Sequence, residues 1–185
     1  MKHLGTMVLE TPRLILRPFT MEDAAAMYAN WASDENVTRY MAWPRHETPE
    51  DTQKVLERWV QQYENPAFYE WAIVLRELKQ PIGNIEVLQI DDYVQKVNLG
   101  YSIGQAFWGK GIMPEALRAV IGFLLDEVEA NRVEACHDSR NPNSGKVMRK
   151  CGMIYEGTFR QWAWTNAGIC DTCNYGILKS DSRRK

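Results

Sequence analysis

The sequence predicts an α/β (α+β) fold: a mixed, mostly antiparallel sheet of about seven strands with helices flanking it. Three observations predict this. Seven stretches carry strand patterning, and the segments between several of them carry helical spacing. Short polar turns join successive strands at 77–80 and 166–168, which makes those pairs antiparallel hairpins. One pair, 98–103 and 132–138, is linked through a long helix, and a helical crossover makes neighbouring strands parallel.

The elements follow in order. Val8 to Thr20 reads as a first strand, with Leu14 and Leu16 on one face and Arg13, Ile15 and Arg17 on the other. Thr20 and Asp23 form the start signal of a helix through Ala32. Asp34 to Trp43 is irregular and rich in aromatics. Thr48, Pro49, Glu50 and Asp51 open a second helix, whose buried face is expected to be Val55, Leu56, Trp59 and Val60. Asn65-Pro66 breaks it, and strands at 68–76 and 81–91 follow.

Leu99, Tyr101 and Ile103 then alternate with Asn98, Gly100 and Ser102 in the next strand. Gly109 and Gly111 bracket Lys110 in a tight turn, and Pro114 suits the first turn of the helix after it. That helix buries Leu117, Val120, Ile121, Leu124, Leu125 and Val128, and Asn131 is its expected stop. Arg132 to Asp138 is a strand, Asn141-Pro142-Asn143-Ser144 opens a helix that Gly152 ends, and Met153–Thr165 with Ile169–Lys179 closes the chain as a hairpin. One domain, residues 8–179, is expected, with 1–7 and 180–185 as flexible ends.

Composition narrows the function classes. Apolar content of 45% and charged content of 25% suit a soluble globular chain, and a net charge of −2 gives no nucleic-acid footprint. No apolar run reaches membrane-spanning length and Met1-Lys2-His3 does not begin a signal peptide, so the expected location is cytoplasmic. Cys170 and Cys173 have C-x-x-C spacing, but they fall in a strand, where residues three apart face opposite ways, and no second pair completes a zinc site. Reduced thiols and no metal are expected.

The stretch from Asn98 to Ala119 carries the chemistry. A strand, a glycine turn and a helix start offer unpaired backbone N–H groups at the positive end of a helix dipole, which suits a diphosphate. The glycine spacing alone is also that of an ordinary strand-to-helix turn. It is neither a Walker loop nor a dinucleotide fingerprint.

Ala106-Phe107-Trp108-Gly109-Lys110-Gly111 resembles the Gln/Arg-x-x-Gly-x-Gly/Ala motif of the GNAT superfamily of acyl-CoA-dependent N-acyltransferases, with Ala106 in place of the leading residue. Asn141 to Ser144 with Lys150-Cys151-Gly152-Met153 is similar to a second family motif, N-x-x-S…K-x-G-F. The element order is what the GNAT fold requires, and Thr11 to Phe19 with the acidic helix start after it, together with the Trp-Gly-Lys-Gly run, looks like the ribosomal-protein N-terminal (alanine/serine) acetyltransferase branch. The resemblance spans about residues 8–178.

It implies acetyl-CoA as co-substrate, a sheet splayed beside it, and cofactor contacts from Tyr101, Ser102, Ile103, Trp108, Gly109, Lys110, Gly111, Ile112, Met113, Asn141 and Ser144. Many relatives place a tyrosine proton donor on the N-x-x-S helix; here that position is Met148, and Ser144 is the alternative, beside its bland reading as a helix cap. Glu86 and His137 are the candidate bases. Tyr28, Trp31, Tyr40, Trp43, Phe68, Tyr69 and Trp71 divide between core and acceptor cleft, and Trp162 with Trp164 forms a substrate wall or a dimer contact, so both monomer and homodimer stay open. The implied acceptor is a protein N-terminal α-amine. A small-molecule amine (polyamine, amino acid or aminoglycoside) is the alternative, and a catalytically silent acyl-CoA-binding module is the competing class.

Overall fold

The structure is a computed structural model, and it describes residues 1–182. An eight-stranded sheet in the order β1-β2-β3-β4-β5-β6-β8-β7 runs through it. The strands are β1 (Leu9–Glu10), β2 (Leu14–Arg17), β3 (Glu70–Leu75), β4 (Gln80–Asp91), β5 (Lys96–Ile103), β6 (Arg132–Asp138), β7 (Ile154–Thr165) and β8 (Gly168–Leu178). The helices are α1 (Ala24–Met27), α2 (Glu35–Thr38), α3 (Pro49–Gln62), α4 (Ile112–Asp126), α5 (Pro142–Lys150) and α6 (Lys179–Ser182). A 3₁₀ turn, Met21–Asp23, leads into α1 and a π-helical turn, Tyr28–Ala32, leaves it.

The expected single first strand is two. Pro12 has no N–H for a ladder, so the chain folds back there and β1 pairs antiparallel with β2. Leu14 and Leu16 are fully buried as the alternation requires. Among the described residues only β5 and β6 pair in parallel, through the α4 crossover.

The sheet separates two apolar clusters. On one face α4 and α5 pack over Leu14, Leu16, Trp71, Ile73, Ile85, Val97 and Leu99. On the other, Phe19 of the loop after β2, with Met27, Trp31 and Leu56 from the helical elements that follow, covers Ala72 and Val74. Burying a leucine-sized side chain contributes about 1.5–3 kcal/mol, so these two layers carry most of the stabilisation.

Two helix expectations need correction. Val60 is exposed, because the buried stripe of α3 follows Thr52, Leu56 and Trp59, and Val60 lies one position past it. Helix α4 ends at Asp126, not at Asn131. Glu129 takes a left-handed φ of 62°, and the Ala130 N–H donates to the Leu124 carbonyl, which turns buried Val128 and Ala130 back toward the sheet.

Residues 1–7, expected to be a flexible end, are instead held at several points. The Lys2 N–H donates to Val128 O, the Gly5 N–H to Pro66 O, and Trp71 Nε1 to Met7 O. At the other end α6 occupies the start of the expected tail, and 183–185 lie outside the described residues.

Candidate active site

The site begins where two parallel strands part. Ladder partners between β5 and β6 run from Lys96 and Arg132 to Leu99 and Ala135, yet β5 continues to Ile103 and β6 to Asp138. Past that point β6 keeps only β8 as a partner, down to Asp138 and Thr172. A cleft of about 470 Å³ opens at the parting, lined by Tyr101, Ser102, Ile103, Gly109, Asn141 and Ser144 among others.

One wall is the glycine turn. Gly109 (φ 75°) and Gly111 (φ 72°) both sit in left-handed backbone, and Gly111 caps α4. A Cβ on Gly109 would meet nothing within 4 Å, and one on Gly111 would meet only Arg13 Nη2, at 3.7 Å. The space above both is therefore open, next to the N–H groups that begin α4. Ile112 and Met113 follow as buried residues that also line the cleft. Trp108 ties the turn back to the sheet by donating Nε1–H to Ile103 O at 2.9 Å. Lys110 is not among the lining residues, and its ammonium lies over the Phe107 ring, 5.6 Å from the centroid.

Arg13 braces this wall from β2's leading turn. Its Nη1 donates to Lys110 O at 3.0 Å and its Nε to Glu115 Oε2 at 2.6 Å. Sequence reasoning missed it, because a residue of the first turn gives no sign that it will meet a loop about a hundred positions on. Lys146, Lys150 and Arg140, which also line the cleft, were missed as well. Lys146 and Lys150 had a readable signal: an i, i+4 pair of cations on the helix that opens with Asn141 and Pro142.

The opposite wall is the start of α5. Ser144 Oγ lies 2.8 Å from Tyr101 Oη, and the Tyr101 hydroxyl also lies 3.0 Å from Ser144 O. Met148, one turn on, is buried in the core. The hydroxyl missing from the α5 helix is thus present in space, supplied by β5. Burial pushes Tyr101 far above the ordinary phenol range, so it stays neutral.

The two candidate bases sit differently. Glu86 lies on β4 between Glu70 of β3 and Gly100 of β5, at the level where the strands part. It does not line the 470 Å³ cleft, and burial raises its carboxyl above the usual range. His137 is packed under α5: Nδ1 is 2.8 Å from Asp138 O, and a Cβ on Gly145 would come within 2.5 Å of Nε2. Burial lowers its pKa, and it does not line the cleft either.

Among the expected aromatics, Trp31, Tyr69 and Trp71 are core and Tyr40 lines the cleft. Trp162 and Trp164 are exposed, Trp162 at 69%. All four cysteines are free thiols, Cys170 buried and Cys173 half-buried. Among the described residues no helix is long and apolar enough to cross a membrane.

Residues 13–154 match the family model described as an acetyltransferase (GNAT) domain, well over half of the chain. The chain belongs to the GNAT superfamily of acetyltransferases.

Within the GNAT superfamily, an uncharacterised N-acetyltransferase of Bacillus subtilis is 30% identical over 172 residues, which cover 93% of this chain and 97% of the relative. A ribosomal-protein-S5-alanine acetyltransferase structure from Vibrio fischeri superposes with a TM-score of 0.83 at 21% identity, covering 95% of this chain and 98% of that one. The microcin C7 self-immunity acetyltransferase, solved with acetyl-CoA and AMP, superposes at 0.81 with 20% identity over 91% and 93% of the two chains. At these identities the two structures share the fold. GNAT acetyltransferases use acetyl-CoA. The residues present here fit it: two glycines hold open space over helix-start amides, and Lys146 and Lys150 add positive charge around the same cleft, where Arg140 is paired with Asp138.

Proposed function

We propose that this GNAT acetyltransferase moves an acetyl group directly from acetyl-CoA to a primary amine, and that the amine is a protein N-terminal α-amine. The observation that carries the transfer chemistry is the meeting of the glycine turn, the parted strands and Ser144 on one cleft. The diphosphate is held by the turn from Trp108 to Met113, with Asn141 and the backbone from Tyr101 to Ile103 along the rest of the cofactor. Bound acetyl-CoA supplies the thioester carbonyl and the thiolate leaving group.

The chain's own residues then have defined tasks. Ser144, fixed by Tyr101, offers a hydroxyl to the departing sulfur. A thiol with pKa about 8.5 is a good leaving group, so a hydrogen bond suffices and a strong acid is not needed. Glu86 accepts the proton of the ammonium. His137, neutral and packed under α5, is the weaker candidate for that role.

The α-amine reading rests on energetics and on the shape of the acceptor side. At neutral pH an α-amine of pKa about 8 costs about 1.4 kcal/mol to deprotonate, and a lysine near 10.4 about 4.6. A single partly buried carboxylate matches the smaller task. The cleft also shares Asn36, Tyr40 and Arg140 with a second, polar depression lined by Glu35, Thr38 and Asn166, which gives an extended acceptor room to lie outward. The Vibrio fischeri neighbour, a ribosomal-protein-S5-alanine acetyltransferase, supports the same class.

The test is thiol release from acetyl-CoA with peptides beginning in Ala or Ser, against lysine side chains, polyamines and aminoglycosides. Peptide N-termini are expected to give the highest kcat/KM. A polyamine or aminoglycoside preferred tenfold or more would overturn the acceptor assignment, and no transfer to any amine would overturn the function.

A further inference from the structure

A second titratable group lies beside Glu86 that the reaction as described does not use. Glu70, on β3, is 1% exposed and stands opposite Glu86 in the ladder. Glu70 Oε1 accepts from Asn84 Nδ2 at 3.0 Å, while Oε2 receives no hydrogen bond from any donor. Asn84 is fixed in turn by Ser102, whose hydroxyl donates to Asn84 Oδ1 at 2.5 Å, and Ser102 is on the wall of the cofactor cleft.

The directions along this chain follow from the orientation of the Asn84 amide, whose oxygen accepts from the Ser102 hydroxyl and whose nitrogen donates to Glu70. This makes Oε1 the carbonyl-like oxygen. That leaves the buried, unpartnered Oε2 for Glu86, the residue directly opposite in the ladder. Two ionised carboxylates in contact, one of them buried, repel strongly, and a lone buried charge costs several kcal/mol. One proton between them removes both penalties, and it belongs on Glu70 Oε2, the more buried site.

We propose that Glu70 is a protonated positioning residue: its Oε2–H donates to Glu86, keeping Glu86 ionised and aimed as the acceptor of the amine proton. This rests on the acetyltransferase reading given above. In the step itself the ammonium proton moves to Glu86, the nitrogen lone pair is freed, and Glu86 later returns that proton to water. Glu70 keeps its own proton throughout. Burial and the neighbouring Glu86 both push the Glu70 carboxyl well above the usual range, in agreement with the geometry.

The surroundings contribute no competing charge. From β5 the facing residues are Gly100 and Ser102. From α3 the Tyr63 hydroxyl donates to the Glu70 backbone carbonyl, and the Arg17–Asp23 pair beyond it is internally neutralised. From the N-terminal segment Thr6 Oγ1 accepts from the Glu70 N–H.

The experiment compares the acidic limb of kcat/KM in wild type, Glu70→Gln and Glu70→Met. Glutamine keeps a donor toward Glu86, so its limb is expected where wild type has it. Methionine removes the donor, and the limb is expected to move up by about one pH unit or more, with kcat reduced more than KM is changed. If Glu70 were ionised, both variants would remove a repelling charge and move the limb down; that result, or an unmoved limb in both, overturns the proposal. Infrared difference spectroscopy of wild type against Glu70→Gln at about pH 8, where ordinary carboxyls are ionised, reads the proton without catalysis. A protonated-carboxyl band lost in Glu70→Gln is expected, and its absence overturns the proposal even if no amine substrate is found. A retained band with a normal limb in Glu86→Gln would instead refute Glu86 as base.

Discussion

Replacing Gly111 by alanine separates the cofactor role of the glycine turn from its structural role. Gly111 has φ 72° and ψ 10°, so alanine incurs the left-handed penalty of roughly 1–2 kcal/mol. The added Cβ meets only Arg13 Nη2 at 3.7 Å, an ordinary contact, so no clash adds to this. For a chain of this size each 1 kcal/mol lowers Tm by about 2–4 °C, so the variant should stay folded. The methyl group nevertheless occupies space through which an anion reaches the helix-start amides. A hydrogen bond to a charged group contributes about 1.5–3 kcal/mol, so losing one should weaken coenzyme A binding by roughly 10- to 100-fold. Calorimetry with coenzyme A and thermal melts on the same sample measure both. Gly122 supplies the control: it lies inside α4, a Cβ there would meet nothing within 4 Å, and Gly122→Ala should stabilise by about 0.5–1 kcal/mol without touching affinity. A folded Gly111→Ala protein that binds coenzyme A as wild type does would refute the cradle.

The contact between Tyr101 and Ser144 predicts coupling. In a double-mutant cycle, Tyr101→Phe and Ser144→Ala should each cost about 1 kcal/mol of stability and together less than their sum, while additivity would deny the hydrogen bond. Ser144→Ala should also lower kcat while leaving coenzyme A affinity near wild type; an unchanged kcat in the folded fraction would reduce Ser144 to a structural residue. His46 and His137 are held below the ordinary imidazole range chiefly by burial, so the folded state binds fewer protons than the unfolded one. The stability they contribute is complete above an unfolded pKa of about 6.5 and is lost as pH falls through their lower folded values. Glu70 and Glu86, held above the usual carboxyl range, contribute with the opposite sign over the same window, so the readout is a difference: between about pH 6.5 and pH 5 the Tm of His137→Gln should fall less, or rise more, than that of wild type, and identical pH dependences would contradict this.

The sequence by itself determined the elements whose signals are local. Thr48-Pro49 with Asp51 fixed the start of α3, because a capping box and a proline at the first position act within one turn. The alternation in 98–103, the helical face from Leu117 to Val128 and the crossover to Arg132 specified a parallel pair, which the structure contains. The turn at Gly109 to Gly111 ahead of α4 was legible for the same reason, since a glycine turn before a helix is a contiguous feature. Even there the alternation over Val8 to Thr20 predicts one strand, where the chain folds back at Pro12 into a hairpin.

Only the tertiary structure decided what depends on residues far apart in the chain. Tyr101 was read for its backbone, yet its hydroxyl meets Ser144, 43 positions away. Arg13 braces Lys110 across 97 positions, and the N-terminal residues are held by carbonyls at 66 and 128. Glu86 looked like one carboxylate on a strand. Its partner Glu70, and the Ser102–Asn84 chain that orders it, come from three strands brought side by side. Charge state is the clearest case: nothing in the sequence marks Glu70 as an acid that keeps its proton. That property arises from burial and from a second carboxyl opposite it, and both exist only once the sheet has formed.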